Sequence, residues 1–301
     1  MAIIIPPIID DSIVEVTEVK RIENLAQPIK QYTAEGVAVN LNVYTGKPVI
    51  MHNDMCIGTG NYQIPVSHVY RDDLVNKSYN LNGEIKIGFG DGWKLNLHQY
   101  VYPYQASYNY AGFSSGDYVY IDDVGYKHRF VKYKTENGFD VYYDADGTGL
   151  RLKETQSGYE VYNDVSKLYF DVKGRLLKIY SPFNTALDKV ISYDTSGNLT
   201  EAYVWGKQSR KLHFTYENGR LNEIKCDGHA NTIKHSYSYN GLAFKLAKVD
   251  LVYDDGTAEN KTTKNVASYT YNMSDKLTLA YDSRKNQGVK LNYDTSGPYQ
   301  V

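Results

Sequence analysis

The chain has 301 residues, enough for one large β domain or two smaller ones with a substantial buried core. Its 33 basic and 35 acidic residues nearly cancel and form no basic run, which excludes a nucleic-acid surface built on phosphate neutralisation. Tyrosine is the outlier, with 31 residues against 8 phenylalanines and 2 tryptophans; beside a mean hydropathy of −0.51, this predicts thin, half-wet sheets rather than a greasy interior.

Residues 1–35 are predicted to be an N-terminal extension, extended or irregular. The opening run MAIIIPPII is apolar, but it is short, broken by proline and has no basic leader, so it fits neither a signal peptide nor a membrane span. A secretory signal of the native protein would lie outside this chain. The best helical candidate anywhere is KRIENLAQPIK, from Lys20 to Lys30, and Pro28 limits it. The two cysteines, Cys56 and Cys226, stand far apart and make neither a disulfide framework nor a metal site; two separate buried thiols are expected, a single long-range bridge being the alternative.

Residues 36–165 read as a β-rich lead-in region. Within it GFGDGWK, from Gly88 to Lys94, has neither P-loop nor Rossmann spacing and no helix after it; a bend or bulge with Trp93 packed beneath is expected. GFSSG, from Gly112 to Gly116, matches the G-x-S-x-G pattern with Ser114 as nominal nucleophile. That chemistry needs a helix after the serine, whereas DYVYIDD alternates like a strand, so a glycine-serine turn is expected. DADGTG, from Asp144 to Gly149, resembles part of a calcium loop. Setting Gly147 at the sixth position puts Tyr142 first and Lys153 twelfth, where carboxylates are needed, so a polar turn is the better account.

Residues 166–301 carry a tandem repeat. Aromatic–acid or aromatic–amide pairs recur at Phe170-Asp171, Tyr193-Asp194, Tyr216-Glu217, Tyr239-Asn240, Tyr271-Asn272 and Tyr293-Asp294, with steps of 23, 23, 23, 32 and 22 residues. The long step contains DDGTAENKTTKN, a polar insertion near 254–265. Behind the anchors come Gly174, Gly197, Gly219 and Gly241, then Leu176, Leu199, Leu221 and Leu242. Apolar and polar residues alternate on both sides of each glycine. Each unit therefore reads as a strand ending in Tyr-Asp, a tight turn and a returning strand headed by leucine. One hairpin cannot bury its own apolar face, so successive units must pair or stack.

YDTSGNLTEAY, TYENGRLNEIK and FDVKGRLLKI, with the upstream segments VNLNVYTGKPVIMHNDM, FGDGWKLNLHQYV and YYDADGTGLRL, resemble the YD-repeat or RHS-repeat family, which includes bacterial Rhs polymorphic toxins, Tc-type toxin shells and teneurins. The resemblance spans about residues 36–301. It implies an all-β fold of tandem antiparallel hairpins in a curved or spiral sheet, part of a shell that in the toxins sequesters an effector domain. The chain would then be a fragment of a longer protein or a small member. Its partners would be further repeats or an effector domain of the same protein, and its place secreted or at the cell surface.

The seven histidines, His52, His68, His98, His128, His213, His229 and His235, are dispersed without an HExxH pair, and His229 and His235 are expected on a surface. The doublets Asp122-Asp123 and Asp254-Asp255 are expected to be solvated turn residues. No metal site, cofactor or catalytic residue is expected. The anchors Phe170, Tyr193, Tyr216, Tyr239, Tyr271 and Tyr293 are expected to be structural, because regular spacing serves stacking between repeats and is not needed for ligand binding. The functional expectation is a non-enzymatic scaffold, a shell wall or surface spacer. The alternative is a carbohydrate- or cell-surface-binding module using exposed tyrosines. Neither nucleic acid nor membrane insertion is expected.

Overall fold

The computed structural model describes residues 30–34, 37–41, 48–58, 63–71, 87–108, 112–227, 232–240, 245–254 and 262–293. They form an all-β structure in two sheets, without an α-helix among the described residues. The first sheet has five strands: β1 (Lys30–Ala34), β2 (Val37–Leu41), β3 (Pro48–Ile57), β4 (Ile64–Arg71) and β5 (Trp93–Leu95). The second is a 17-strand antiparallel meander. It starts with β6 (Tyr100–Pro103), β7 (Tyr118–Ile121), β8 (Lys127–Glu136), β9 (Phe139–Asp144), β10 (Arg151–Thr155) and β11 (Gly158–Tyr162). It continues through β12 (Lys167–Asp171), β13 (Leu176–Tyr180), β14 (Lys189–Tyr193), β15 (Leu199–Val204), β16 (Lys211–Glu217) and β17 (Arg220–Cys226). It ends with β18 (Thr232–Asn240), β19 (Lys245–Asp254), β20 (Thr262–Tyr271), β21 (Leu277–Asp282) and β22 (Gln287–Lys290). Every strand pairs with its sequence neighbour, and among the described residues no ladder joins β22 back to β6. The first strand of the meander instead returns to it through an isolated bridge between Tyr100 and Arg175.

Phe170, Tyr193, Tyr216, Tyr239 and Tyr271 stand at the end of the first strand of a hairpin, and in three of these units the side chain after the anchor closes the turn. Asp171 accepts from the backbone N–H groups of Lys173 and Arg175, Asp194 from that of Asn198, and Asn272 from those of Ser274 and Lys276. The alternation read from the sequence fails at one place in every unit. The register shifts between Tyr169 and Phe170, Ser192 and Tyr193, Thr215 and Tyr216, Ser238 and Tyr239, and Thr270 and Tyr271. An extra residue on the returning strand makes a β-bulge opposite each anchor, which bends the strand and raises its twist. The buried positions of β15, β17 and β21 consequently run Leu199-Ala202-Val204, Leu221-Ile224-Cys226 and Leu277-Ala280-Asp282, a step of three and then of two.

The bulge places the residue opposite the anchor as Leu176, Leu199, Leu221, Leu246 and Leu277, all fully buried. In the fourth unit Leu246 takes the position that spacing assigned to Leu242, which with Gly241 lies outside the described residues. The insertion near 254–265 also differs from a simple loop. Tyr253 pairs with Thr262, Val252 with Thr263 and Leu251 with Lys264, so part of the polar stretch lengthens the β19–β20 hairpin. Cys226 is buried as expected, but Cys56 is exposed, and both are free thiols. The helical candidate before Lys30 lies outside the described residues.

Past each bulge the ladder to the next unit stops, at Glu201–His213, Glu223–Ser236, Lys248–Ser268 and Leu279–Lys290. The leucine's backbone groups are thus buried without a strand partner, a costly state. Two devices satisfy them. The anchor hydroxyl of the following unit donates to the leucine carbonyl: Tyr239 to Leu221 at 2.8 Å, Tyr271 to Leu246 at 2.6 Å and Tyr293 to Leu277 at 2.8 Å. The Tyr216 hydroxyl is buried near the Leu199 backbone, short of hydrogen-bond geometry. Residues from the first sheet and the segment after it take the N–H groups. Leu277 donates to the Tyr70 hydroxyl at 3.1 Å, Leu221 to the Gly88 carbonyl at 2.6 Å and Leu176 to the Gln99 carbonyl at 3.3 Å. Trp93 Nε1–H donates to the Tyr271 hydroxyl, and the Lys245 ammonium meets Asp91 at 2.6 Å. Gly174 shows how close this crossing is: its φ is +79°, and a Cβ there would stand 1.7 Å from the Val101 carbonyl oxygen.

Both faces of β4 are buried. One joins the large core shared with β15–β21; on the other, Val69 packs with Val49 and Tyr126. The meander strands bury one face and leave the other polar and wet. Removing the hydroxyl of Tyr239 or Tyr271 by substitution with phenylalanine leaves a buried carbonyl without a donor and is expected to cost about 1–2 kcal/mol. Tyr193→Phe is expected to change stability by less than about 0.5 kcal/mol, because that hydroxyl is buried with no hydrogen-bond partner among the described residues. Urea unfolding of the three variants measures the difference.

Candidate functional site

Five of the dispersed histidines lie in the interior, and two of them meet across one strand pair. His52 on β3 is the direct cross-strand partner of His68 on β4, their rings 4.9 Å apart. A register shift between Asn53 and Met55 makes Asp54 a bulged residue and brings its carboxylate to the same side. Asp54 then accepts from His52 Nδ1 at 3.2 Å, His68 Nδ1 at 2.8 Å and the Tyr237 hydroxyl at 2.7 Å. The other ring nitrogens face the last repeats: His68 Nε2 meets the Tyr269 hydroxyl, and His52 Nε2 lies 3.2 Å from Asp282. Arg284 donates to Asp282 at 3.1 Å and to the Asn53 carbonyl at 2.8 Å.

Burial alone would raise the Asp54 pKa, but the His68 and His52 contacts outweigh it and hold the carboxyl well below the usual range. Burial pushes His68 down, against the attraction of Asp54. A neutral His68 donating from Nδ1 has its lone pair on Nε2, so Tyr269 is the donor there. Hydroxyl, imidazole and carboxylate in that order have the connectivity of a nucleophile, base and orienting group. None of Tyr269, His68 and Asp54 is exposed by more than 4%, however, so no substrate reaches them without opening the sheets. His52, Asp54 and His68 also offer ligand atoms within 4.8 Å of one another, the geometry of a metal set, with each of those atoms already in a hydrogen bond. What the arrangement does is tie the first sheet to β18, β20 and the turn after β21.

A second polar centre holds the start of the meander. His128 sits between Asp144 at 3.0 Å and Asp122 at 3.2 Å. Burial opposes its charge, but hydrogen bonds to the two carboxylates raise its pKa to about 9. Asp122 is thus a bonded, half-buried residue rather than a solvated one; it also accepts from the backbone of Val124 and Tyr126. The Lys94 ammonium, fully buried with a pKa lowered to about 8 by desolvation, donates to the carbonyls of Asp122 and Asp123. His98 is buried beside Leu95, its Nδ1 accepting that backbone N–H, and burial lowers its pKa to about 3. His235 is buried, contrary to the surface expectation, because β18 lies under the first sheet; His229 lies outside the described residues. His213 is half-exposed and pairs with Asp227 at 2.6 Å.

The other sequence motifs are structural in geometry. Ser114 and Asp117 exchange hydrogen bonds in a turn that leads into strand β7, not a helix. Asp144 accepts from the Asp146 backbone N–H and from Thr148, closing the DADGTG turn. Trp93 is fully buried against Tyr70 and Tyr269. Phe170 is fully buried, and Tyr193, Tyr216, Tyr239, Tyr271 and Tyr293 are half-buried against the core. The signal for the histidine centre was the polar H-N-D step inside an apolar strand; its partners Asp282, Tyr237 and Tyr269 lie too far along the chain to be read from it.

No protein-family model matches the chain, and no curated protein matches it. A chain in the crystal structure of TcdB2-TccC3-Cdc42 is similar to it over 90% of this chain and 15% of that chain, with 13% identity and a TM-score of 0.31. This chain thus spans a small part of that one's length, and a likeness at that score decides neither fold nor function.

Asp54→Asn keeps the side-chain volume but removes the charge that three donors share, and is expected to cost about 3–5 kcal/mol in urea unfolding. Acid acts at the same place. His68, His98 and His235 have pKa values lowered in the fold, so their contribution is present above the ordinary histidine value of about 6.5 and is lost as pH falls below it. Stability should fall by up to about 1.4 kcal/mol per pH unit for each of the three, and Asp54 adds to the loss below about pH 4. His128 has the opposite sign. Its raised pKa stabilises fully below about 6.5 and is lost as pH rises through about 9, so the stability gap between the native chain and His128→Gln should shrink by about 3 kcal/mol across that window. Urea midpoints measured from about pH 5 to 9.5 check both statements.

Proposed function

We propose that the chain is a non-enzymatic structural scaffold: a length of β-repeat wall, part of a shell or surface spacer that sequesters or presents another domain. The observation that supports this reading is the continuous meander whose repeats are joined by a recurring hydroxyl-to-carbonyl contact and closed over by the first sheet. Chemistry-bearing groups are spent on that closure. Histidines, aspartates and a lysine that could serve catalysis are buried and bonded to the backbone or to one another. A wall needs this kind of construction, because a sheet with one wet face has little core per strand and depends on every buried polar group having a partner.

The reading predicts that both sheets unfold together. Tryptophan fluorescence of a Trp205→Phe variant, which reports Trp93 at the junction, and far-UV circular dichroism should give one coincident urea transition. Two separated transitions would contradict a single wall. The non-enzymatic part is tested with chromogenic ester, glycoside, phosphate and peptide substrates. Turnover that His68→Gln abolishes while the circular dichroism spectrum is unchanged would overturn it.

A further inference from the structure

We propose that His52, Asp54 and His68 form a structural binding site for a divalent transition-metal ion of the zinc type, locked between the first sheet and the last repeats. The set is two imidazoles and a carboxylate, with ligand atoms within 4.8 Å of one another. That mix suits zinc and its neighbours, whereas magnesium and calcium take oxygen donors. The strand register delivers it. His52 stands opposite His68, and the bulge turns Asp54 to the same side, so all three face one point without bending β3 or β4.

The hydrogen bonds from both Nδ1 atoms to Asp54 are compatible with an ion. A neutral imidazole carries one proton on either nitrogen, and the far nitrogen of each ring has its own acceptor. His52 Nε2 lies 3.2 Å from the Asp282 carboxylate, and His68 Nε2 meets the Tyr269 hydroxyl. Protons held on Nε2 free both Nδ1 lone pairs on the side where Asp54 lies. Arg284 is also 3.2 Å from His52 Nε2, but it has Asp282 and the Asn53 carbonyl as acceptors. A carboxylate behind a histidine, fixing its tautomer and ring, is the support that metal-bound imidazoles receive.

Two further observations point to an ion. The Asp54 carboxylate is fully buried, and its partners are two imidazoles and a phenol rather than a lysine or arginine; a divalent ion supplies the countercharge that such burial calls for. His235 Nδ1 is buried with no hydrogen-bond partner among the described residues. It stands two residues before Tyr237 on β18, hence on the same face, and its ring feels the charges of Asp54, His68 and His52. His235 lies outside the 4.8 Å set and is the fourth donor that closes on the ion as it binds. A closed, four-coordinate set is a structural one, and it fastens β3, β4 and β18 together whether or not the chain walls a shell.

Because the set is sealed, it is loaded during folding. The full chain is unfolded in urea, stripped with a chelator, refolded with cobalt(II) and desalted, and its metal content and visible spectrum are measured. A single cobalt per chain is expected, with the intense d–d bands of four-coordinate ligation, and zinc should displace it and erase those bands. Zinc present during refolding should also raise the urea midpoint. His68→Gln should abolish retention, and Asp282→Asn, behind His52, should weaken it about tenfold to a hundredfold. His235→Ala should shift the bands; unchanged bands would overturn its place as fourth donor. His213→Gln, at the surface pair with Asp227, should leave retention unchanged. A native chain that retains neither cobalt nor zinc would overturn the proposal. So would cobalt that His68→Gln and Asp282→Asn both leave in place, or that His213→Gln removes, which marks a surface ion only. Where His68→Gln does not regain the native circular dichroism, Asp282→Asn decides.

Discussion

The structure depends on what happens to one leucine in each repeat. The β-bulge opposite the anchor turns that leucine into the core and takes its N–H and C=O out of the ladder. A bulge at the same place in every unit makes a long antiparallel sheet curve, and curvature is what allows a meander of 17 strands to enclose a core with only one of its faces. The same bulge leaves backbone groups buried and unpaired. An anchor tyrosine answers this from the next unit at Tyr239, Tyr271 and Tyr293, and Tyr70, Gly88 and Gln99 answer it from across the sheet. Curvature, repeat spacing and the position of the first sheet are therefore consequences of one constraint on backbone hydrogen bonding.

This account also explains why the first anchor is phenylalanine. The hairpin before it, β10–β11, runs in regular register from Arg151–Tyr162 to Thr155–Gly158 without a bulge. No leucine carbonyl is freed there, so a hydroxyl at Phe170 would have no acceptor to reach. Tyrosine appears from the second anchor onward, and from the fourth its hydroxyl reaches the carbonyl that the preceding bulge frees. The tyrosine excess of the composition thus has two sources. Tyr239, Tyr271 and Tyr293 use their hydroxyls inward as staples, whereas Tyr133, Tyr143 and Tyr162 sit on the outer face and are free of that duty.

Much of the repeat was legible in the sequence, because a strand, a turn and a returning strand impose local chemistry: alternation, an Asx-closed turn, a glycine or a left-handed Asp275 after the anchor. The bulge was not, since an inserted residue looks the same as ordinary alternation until the partner strand fixes the register; Leu242 and Leu246 illustrate the ambiguity. The histidine centre was hidden for a different reason. His52 and His68 are 16 residues apart and meet only because β3 and β4 pair, and Asp282 joins them from 230 residues away. Contacts of that range carry no local pattern, and dispersed histidines in sequence therefore said nothing about convergence in space.

The most direct measurement is native-state hydrogen exchange at the amides of Leu221 and Leu277, the two leucine N–H groups given to Gly88 and Tyr70. They precede the inter-unit ladders and sit next to turns, where exchange is ordinarily fast. If the crossing chain and the bulged leucines hold the repeats together, both amides exchange only through global unfolding, with the same denaturant dependence as the core strands. Exchange at the rate of the neighbouring turn residues, insensitive to denaturant, would contradict the account.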